Sequence, residues 1–253
     1  MLHAEELRKV AGCVSKIVGA TATLGTSPTV LVLPQNVSMV SMSAGGAWQL
    51  RLSPKVKGCM KTADNAVTFT NYIGEATDGR TDTYVTLSDL NTAAELDYWY
   101  VGLPCDGYNT GGYASGDFNG LYVDVVLANS ATSTLSCKYW NGAWTTLSIT
   151  DNTVDTSRTL YKDGTITWTA VTDAVPYTLN GINAFWLRFQ VSVALDSSTT
   201  LAAVVPMTSY TPGYFSANVD YTIGLDAGVA GLEVLVASGT PTLNVAYYIA
   251  DRN

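Results

Sequence analysis

Phe185, Leu187, Phe189, Val191 and Val193 alternate along the chain with Trp186, Arg188, Gln190 and Ser192. A helix would scatter the first set around its circumference. An extended chain points all five to one side, because successive side chains of a strand leave on opposite faces. The same alternation sets Leu121, Val123, Val125 and Leu127 against Tyr122, Asp124 and Val126. Between such segments fall Asp106-Gly107, Asn119-Gly120, Asn141-Gly142, Asp163-Gly164 and Asn180-Gly181, dipeptides that accept the positive φ of tight hairpins. Short antiparallel strands punctuated in this way predict a mostly β chain. Its body, residues 62–207, is expected to be an antiparallel β-sandwich of jelly-roll-like form. A composition of 47% apolar but only 13% charged residues suits strands and turns better than helices.

The two ends read differently. Leu7, Val10, Ala11, Val14 and Ile17 recur at helical spacing and Gly19 follows, which predicts a short N-terminal helix from His3 to Val18. Residues 1–61 then form a basic helix and arm. Beyond Pro206, residues 208–253 are expected to hold a final hairpin, from Leu232 to Val236 and from Leu243 to Ile249 around Gly239-Thr240-Pro241. It either completes the sandwich or forms a lobe of its own.

Charge divides the chain at the same place. Before residue 62, seven bases (Arg8, Lys9, Lys16, Arg51, Lys55, Lys57 and Lys61) meet two acids, a balance of +5; from 62 onward six bases meet 19 acids, a balance of −13. Such asymmetry predicts that the seven bases anchor the protein to a negative partner while the acidic body faces solvent. No stretch reaches the ~18 consecutive apolar residues of a membrane-spanning helix. Met1 to Glu6 is acidic where a signal peptide would be basic, so the chain is expected to begin in a cytosol. Cys13, Cys59, Cys105 and Cys137 include no C-x-x-C pair and are expected to be reduced and mostly buried.

Catalytic constellations are not visible. His3 is the only histidine, which argues against Ser/His/Asp and Cys/His chemistry, and no phosphate-binding or dinucleotide fingerprint occurs. Glu95 and Asp97 have same-face spacing but read as exposed carboxylates at a strand end. Asp78, Asp82, Asp151, Asp155 and Asp163 are loop acids without an EF-hand pattern. No catalytic, cofactor or metal residue is therefore assigned, and the chain reads as a non-enzyme.

Aromatic residues carry the remaining signal. A two-residue turn at Asn141-Gly142 would pair Trp140 with Ala143 and turn Trp140 away from the inward set Leu135, Cys137 and Tyr139. An outward Trp can stack on a sugar, cap an oligomer contact, or cover the sheet. Val126, Trp140 and Trp186 together make a candidate oligomer or ligand surface, with a homo-oligomer, a trimer first, as the expectation. The alternative is that the N-terminal arm or the final hairpin covers Val126 and Trp186.

The run LSCKYWNGAW from Leu135 to Trp144 is followed by Asp163-Gly164-Thr165-Ile166-Thr167-Trp168. Then comes Leu179-Asn180-Gly181-Ile182-Asn183-Ala184-Phe185-Trp186-Leu187-Arg188-Phe189. This series, with Tyr98-Trp99-Tyr100-Val101-Gly102-Leu103 as its opening strand, resembles a module of virion structural proteins of tailed bacteriophages. The match spans roughly Asp97 to Val193. The resemblance implies a jelly-roll-like sandwich exposed on a phage particle, in a capsid decoration protein, head fibre or tail-associated protein. It implies no catalytic residue and no cofactor. Its partners would be the major capsid protein or other virion proteins, with no membrane and no sequence-specific nucleic acid. The alternative is a receptor-binding protein that holds a host glycan. The expected location is the virion surface, reached from the host cytoplasm.

Overall fold

The computed structural model describes residues 14–63, 67–78, 80, 82–88, 90–91, 96–105, 113–209, 215–225 and 228–250. The described residues are mostly β, 56% strand against 4% helix, and every strand pair with a given register is antiparallel. It divides into two compact units. One joins Met1–Leu52 to Thr211–Asn253; the other is Ser53–Tyr210. The boundary expected at 207 falls at 210 and the one expected at 61 falls at 52, and the two outer stretches form one unit because the N-terminal strands pair with the C-terminal ones.

The split unit holds two sheets. Four strands lie in the order β1 (Val14–Thr23), β19 (Thr242–Ala250), β3 (Val37–Ala44), β17 (Tyr221–Gly224), and three in the order β2 (Thr29–Val32), β18 (Val229–Val236), β4 (Trp48–Pro54). Both sheets contribute to one core, with Val40, Met42, Leu243 and Val245 from the first and Trp48, Leu232 and Val234 from the second. Two expectations are corrected here. Residues 14–18, the end of the expected helix, belong to a strand, and Met1 to Cys13 lie outside the described residues. Val14, Ile17, Val18, Thr21 and Thr23 are β-branched, and pairing along β19 overrides their helical spacing. The expected C-terminal hairpin is not one: β18 and β19 sit in different sheets, so the Gly239-Thr240-Pro241 connection crosses between layers.

The continuous unit also has two sheets. The larger runs β11 (Trp144–Leu147), β10 (Leu135–Trp140), β15 (Ile182–Val191), β8 (Trp99–Leu103), β5 (Gly58–Ala63), β6 (Thr68–Asn71), with β14 (Tyr177–Leu179) also paired to β15. The smaller runs β12 (Ile149–Asp151), β13 (Gly164–Trp168), β9 (Phe118–Leu127), β16 (Thr200–Thr208), β7 (Val85–Thr86). They face each other across one core, with Trp99, Val101, Leu187 and Phe189 from the larger sheet and Leu121, Val123, Ile166 and Val204 from the smaller. That is a sandwich-like packing, and the inward series of β9 and β15 follows the alternation as far as Val125 and Val191, while Leu127 and Val193 are each 50% exposed. Every residue of β16 is buried, as its unbroken apolar run Leu201 to Val205 requires. Pro206 is tolerated because β7 pairs only with Thr200 and Leu201, leaving no ladder bond for the missing N–H beyond them. A five-residue helix, α1 (Ile73–Thr77), packs by Ala76 on this core.

Candidate functional site

Strand geometry that buries Trp99, Leu187 and Phe189 must turn their neighbours outward, and those neighbours are aromatic or cationic. Register sets them in rows. Lys138 lies beside Arg188, Arg188 beside Tyr100, and Tyr100 beside Met60. In the next row Trp186 lies beside Gly102 and Trp140 beside Trp144. Met60, Tyr98, Tyr100, Ala184 and Trp186 form a second, smaller apolar cluster on this outer face, joined by Phe69, Trp144, Tyr177, Leu179 and Ile182.

Trp186 is the floor of the face. Its indole lies over two glycines: a Cβ on Gly58 would stand 2.4 Å from Cη2 of Trp186, and one on Gly102 3.1 Å. Its Nε1–H donates to the Tyr177 carbonyl at 2.7 Å. Tyr177 stacks on Trp140, with centroids 4.3 Å apart at 27°, and Trp140 meets Trp144 edge to face at 5.4 Å. Arg188 completes the group. Its guanidinium carbon lies 4.4 Å from the Tyr98 ring centroid and 4.6 Å from that of Trp144, a double cation–π arrangement. Burial pushes the Tyr100 hydroxyl up to about 12, with the nearby Arg188 charge pulling it partly back. Trp140, Trp144, Tyr177 and Arg188 all remain partly exposed.

The predicted site residues fare unevenly. Trp186 is 1% exposed, so it is not an oligomer surface; its own chain covers it, with Tyr177 of β14, Tyr100 and Ala184 joined by Gly58 and Met60 from the stretch assigned to the N-terminal arm. Trp140 is half-buried and engaged by Tyr177. Val126 is open, 42% exposed beside Leu127 at 50%. Five of the seven bases lie among the described residues. Arg8 and Lys9 lie outside the described residues, and Lys16 falls on β1. Arg51 turns inward to Glu233, 3.5 Å away and fully buried, and is itself only 11% exposed, so it serves the split unit's interior and not a surface anchor. Lys55, Lys57 and Lys61 belong to the other unit, and Lys61 donates through Nζ to the Ser88 carbonyl at 2.7 Å.

The five loop acids weighed for metal binding are held by protein donors. Asp78 accepts from the Arg80 amide and the Thr83 hydroxyl, and Asp82 pairs with Arg80. Asp151 accepts from Thr153 and Thr159, Asp155 pairs with Arg158, and Asp163 accepts from the Val125 amide. Glu95 and His3 lie outside the described residues. Among those described, no three metal-ligating side chains gather, and no helix is long and apolar enough to cross a membrane.

Sequence reasoning named two members of the outer face, Trp140 and Trp186, and missed the rest. Arg188 stood in the outward series of β15, but its neighbours depend on a register that no local pattern states. Trp144 was displaced by the assumed turn. The loop has three residues, Asn141 to Ala143, with Gly142 at φ +101°, so Trp140 pairs with Trp144 and both indoles share one face.

No protein-family model matches the chain, and no curated protein is significantly similar to it. Among solved structures it has a weak likeness to the K1 cleaved adhesin domain of Lys-gingipain from Porphyromonas gingivalis W83. That match has 11% identity over 88% of this chain and 100% of that one, with a TM-score of 0.14; a superposition so poor carries no argument about fold or function.

Proposed function

We propose that the chain is a non-enzymatic virion structural protein of a tailed bacteriophage, a capsid decoration or minor capsid protein that reaches the virion surface from the host cytoplasm. The observation that carries this reading is where the phage-like motifs fall. LSCKYWNGAW spans β10 and β11, Gly-Thr-Ile-Thr-Trp is β13, and the segment Leu179 to Phe189 is the β14–β15 corner, so the resemblance follows one continuous architecture. Strand order supports a jelly roll: β7, β9, β13 and β16 occupy the smaller sheet as β7-β16-β9-β13, while β8, β10, β11 and β15 occupy the larger as β8-β15-β10-β11. Eight strands so interleaved are two Greek keys wrapped together, a form used by viral capsid and lectin domains. Its partners are the major capsid protein or other virion proteins. Self-association as a trimer would use the exposed end of β9 at Val126 and Leu127. Cosedimentation with capsids assembled without this protein tests the proposal: saturable attachment at a fixed number of copies supports it, and failure to attach to any capsid, neck or tail intermediate ends it.

A second reading, a receptor-binding protein that holds a cell-surface glycan, is favoured by the outer face of the larger sheet. Partly exposed Trp140 and Trp144 offer apolar planes to pyranose rings. Fold likeness to lectin domains is no support by itself.

A further inference from the structure

The outer face of the larger sheet is cationic within a chain of net charge −8. Lys138 and Arg188 stand side by side on β10 and β15, and among the described residues no carboxylate forms an ion pair with Arg188. The charged and titrating groups acting on neighbouring Tyr100 are Arg188, Tyr98 and Tyr177, with no acid among them. The Arg188 Nε–H is buried without an acceptor.

The two rings decide what kind of acceptor fits. Tyr98 and Trp144 lie against the guanidinium, so what remains for a ligand is the N–H edge, the part that matches the two oxygens of a carboxylate. Stacking also fixes the fork in advance, which lowers the ordering cost of binding. Beside it, Trp144 and Trp140 meet edge to face at 71°, with Trp140 stacked on Tyr177, an apolar surface that suits the C–H face of a pyranose better than a flexible peptide. The geometry points to a carboxylate-bearing saccharide as the ligand of this face, its ring against Trp144 and Trp140 and its carboxylate on Arg188 with Lys138 alongside. This rests on the glycan-binding reading and narrows it to acidic sugars.

The test is calorimetric titration of the full chain with trigalacturonate, a hyaluronan tetrasaccharide and 3′-sialyllactose, each beside its carboxyl methyl ester, and with triglutamate. At least one acid should bind, with its ester at least tenfold weaker. Arg188→Gln should erase that difference while weak ester binding persists, and Trp144→Ala should weaken acid and ester alike. Arg188→Lys, which keeps the charge and loses the fork, should lose most of the preference. The acid–ester comparison on unaltered protein decides the matter even if an Arg188 variant fails to fold. Equal binding of acid and ester overturns the carboxylate assignment and leaves the glycan reading standing. No binding of any saccharide overturns both, and triglutamate binding as tightly as the best saccharide overturns the assignment in favour of an acidic peptide.

Discussion

At Gly58 the absence of a side chain has a measurable consequence. A Cβ there would stand 2.4 Å from the Trp186 ring, and sheet backbone on one side and Tyr177 on the other leave the indole little room to yield. Gly58→Ala should destabilise the protein by about 1–3 kcal/mol, the usual cost of overpacking. Trp186→Ala should cost about 3–5 kcal/mol, since a large buried ring is lost. Because Trp186 is covered within its own chain, either change should lower the melting temperature at unchanged molecular mass; dissociation of an oligomer by Trp186→Ala, seen by light scattering, would contradict the burial. The thiols give a second residue-level test. Cys59 and Cys137 are free and buried. Burial pushes the Cys59 thiol up to about 12 despite the hydrogen bond from the Trp99 indole, and burial pushes Cys137 up as well. Thiolate is the reactive form, so at pH 8.5 iodoacetamide should leave both unmodified in native protein and label both in urea, as read by peptide mass. Rapid native labelling of either would show that its strand opens.

Elements that close locally were legible in the sequence, and those that close through distant partners were not. Asn180-Gly181 reads as a two-residue hairpin and is one: Leu179 pairs with Ile182, and the turn residues have φ +47° and +81°. The inward residues of β9 and β15 follow from alternation as far as Val125 and Val191, beyond which Leu127 and Val193 are exposed. Asn119-Gly120 has the same chemistry as Asn180-Gly181 yet lies inside β9, because pairing with β13 and β16 holds it extended. The strand β1 reads as helix until β19, more than two hundred residues away, is known. The outer face fails for the same reason, since three strands from separate parts of the chain must align before Tyr100, Arg188 and Lys138 become neighbours. One long-range element joint is sensitive to pH. Asp196, after β15, accepts from the Ser130 amide at 2.6 Å and from the Ser198 amide and hydroxyl at 2.9 Å, tying the loop after β9 to the loop before β16. Burial raises the Asp196 carboxyl, but the donors of Ser130 and Ser198 outweigh it and hold it well below the usual carboxylate range. A carboxyl lowered on folding stabilises fully above its unfolded value of about 3.9, and that contribution fades as pH falls further. Asp196→Asn should therefore melt below wild type at pH 7, with the gap shrinking steadily below pH 4 in a thermal-shift series. A gap that is constant from pH 7 to 2.5 would mean that charge on Asp196 contributes nothing.

One unit boundary, Tyr210–Thr211, falls in the stretch Tyr210-Thr211-Pro212-Gly213-Tyr214, whose composition reads as a linker or turn, whereas the other, Leu52–Ser53, falls inside β4, where no such composition announces it. Every member of the split unit's core comes from residues 24–50 or 215–247, and every member of the other two clusters from residues 56–204. A hydrophobic cluster closed within one stretch is the physical requirement for independent folding, and residues 53–210 meet it with two sheets over a shared core. The split unit does not, because β1 and β3 supply both neighbours of β19, and β2 and β4 flank β18. Deleting residues 1–52 leaves β17, β18 and β19 with their apolar faces and ladder groups unmet, a state that exposes edges and aggregates. Cutting at 61 instead would also remove Gly58 to Lys61 of β5, and with it the floor under Trp186. We therefore expect the fragment Ser53–Tyr210 to fold alone, giving a dispersed amide NMR spectrum and a cooperative melt. The fragment Ser53–Asn253 should keep that folded signature while its residues beyond 210 are cleaved rapidly by protease. If Ser53–Tyr210 shows a collapsed spectrum and no cooperative transition, the two cores are not separable, and attachment experiments on truncated protein must then be read as effects of unfolding.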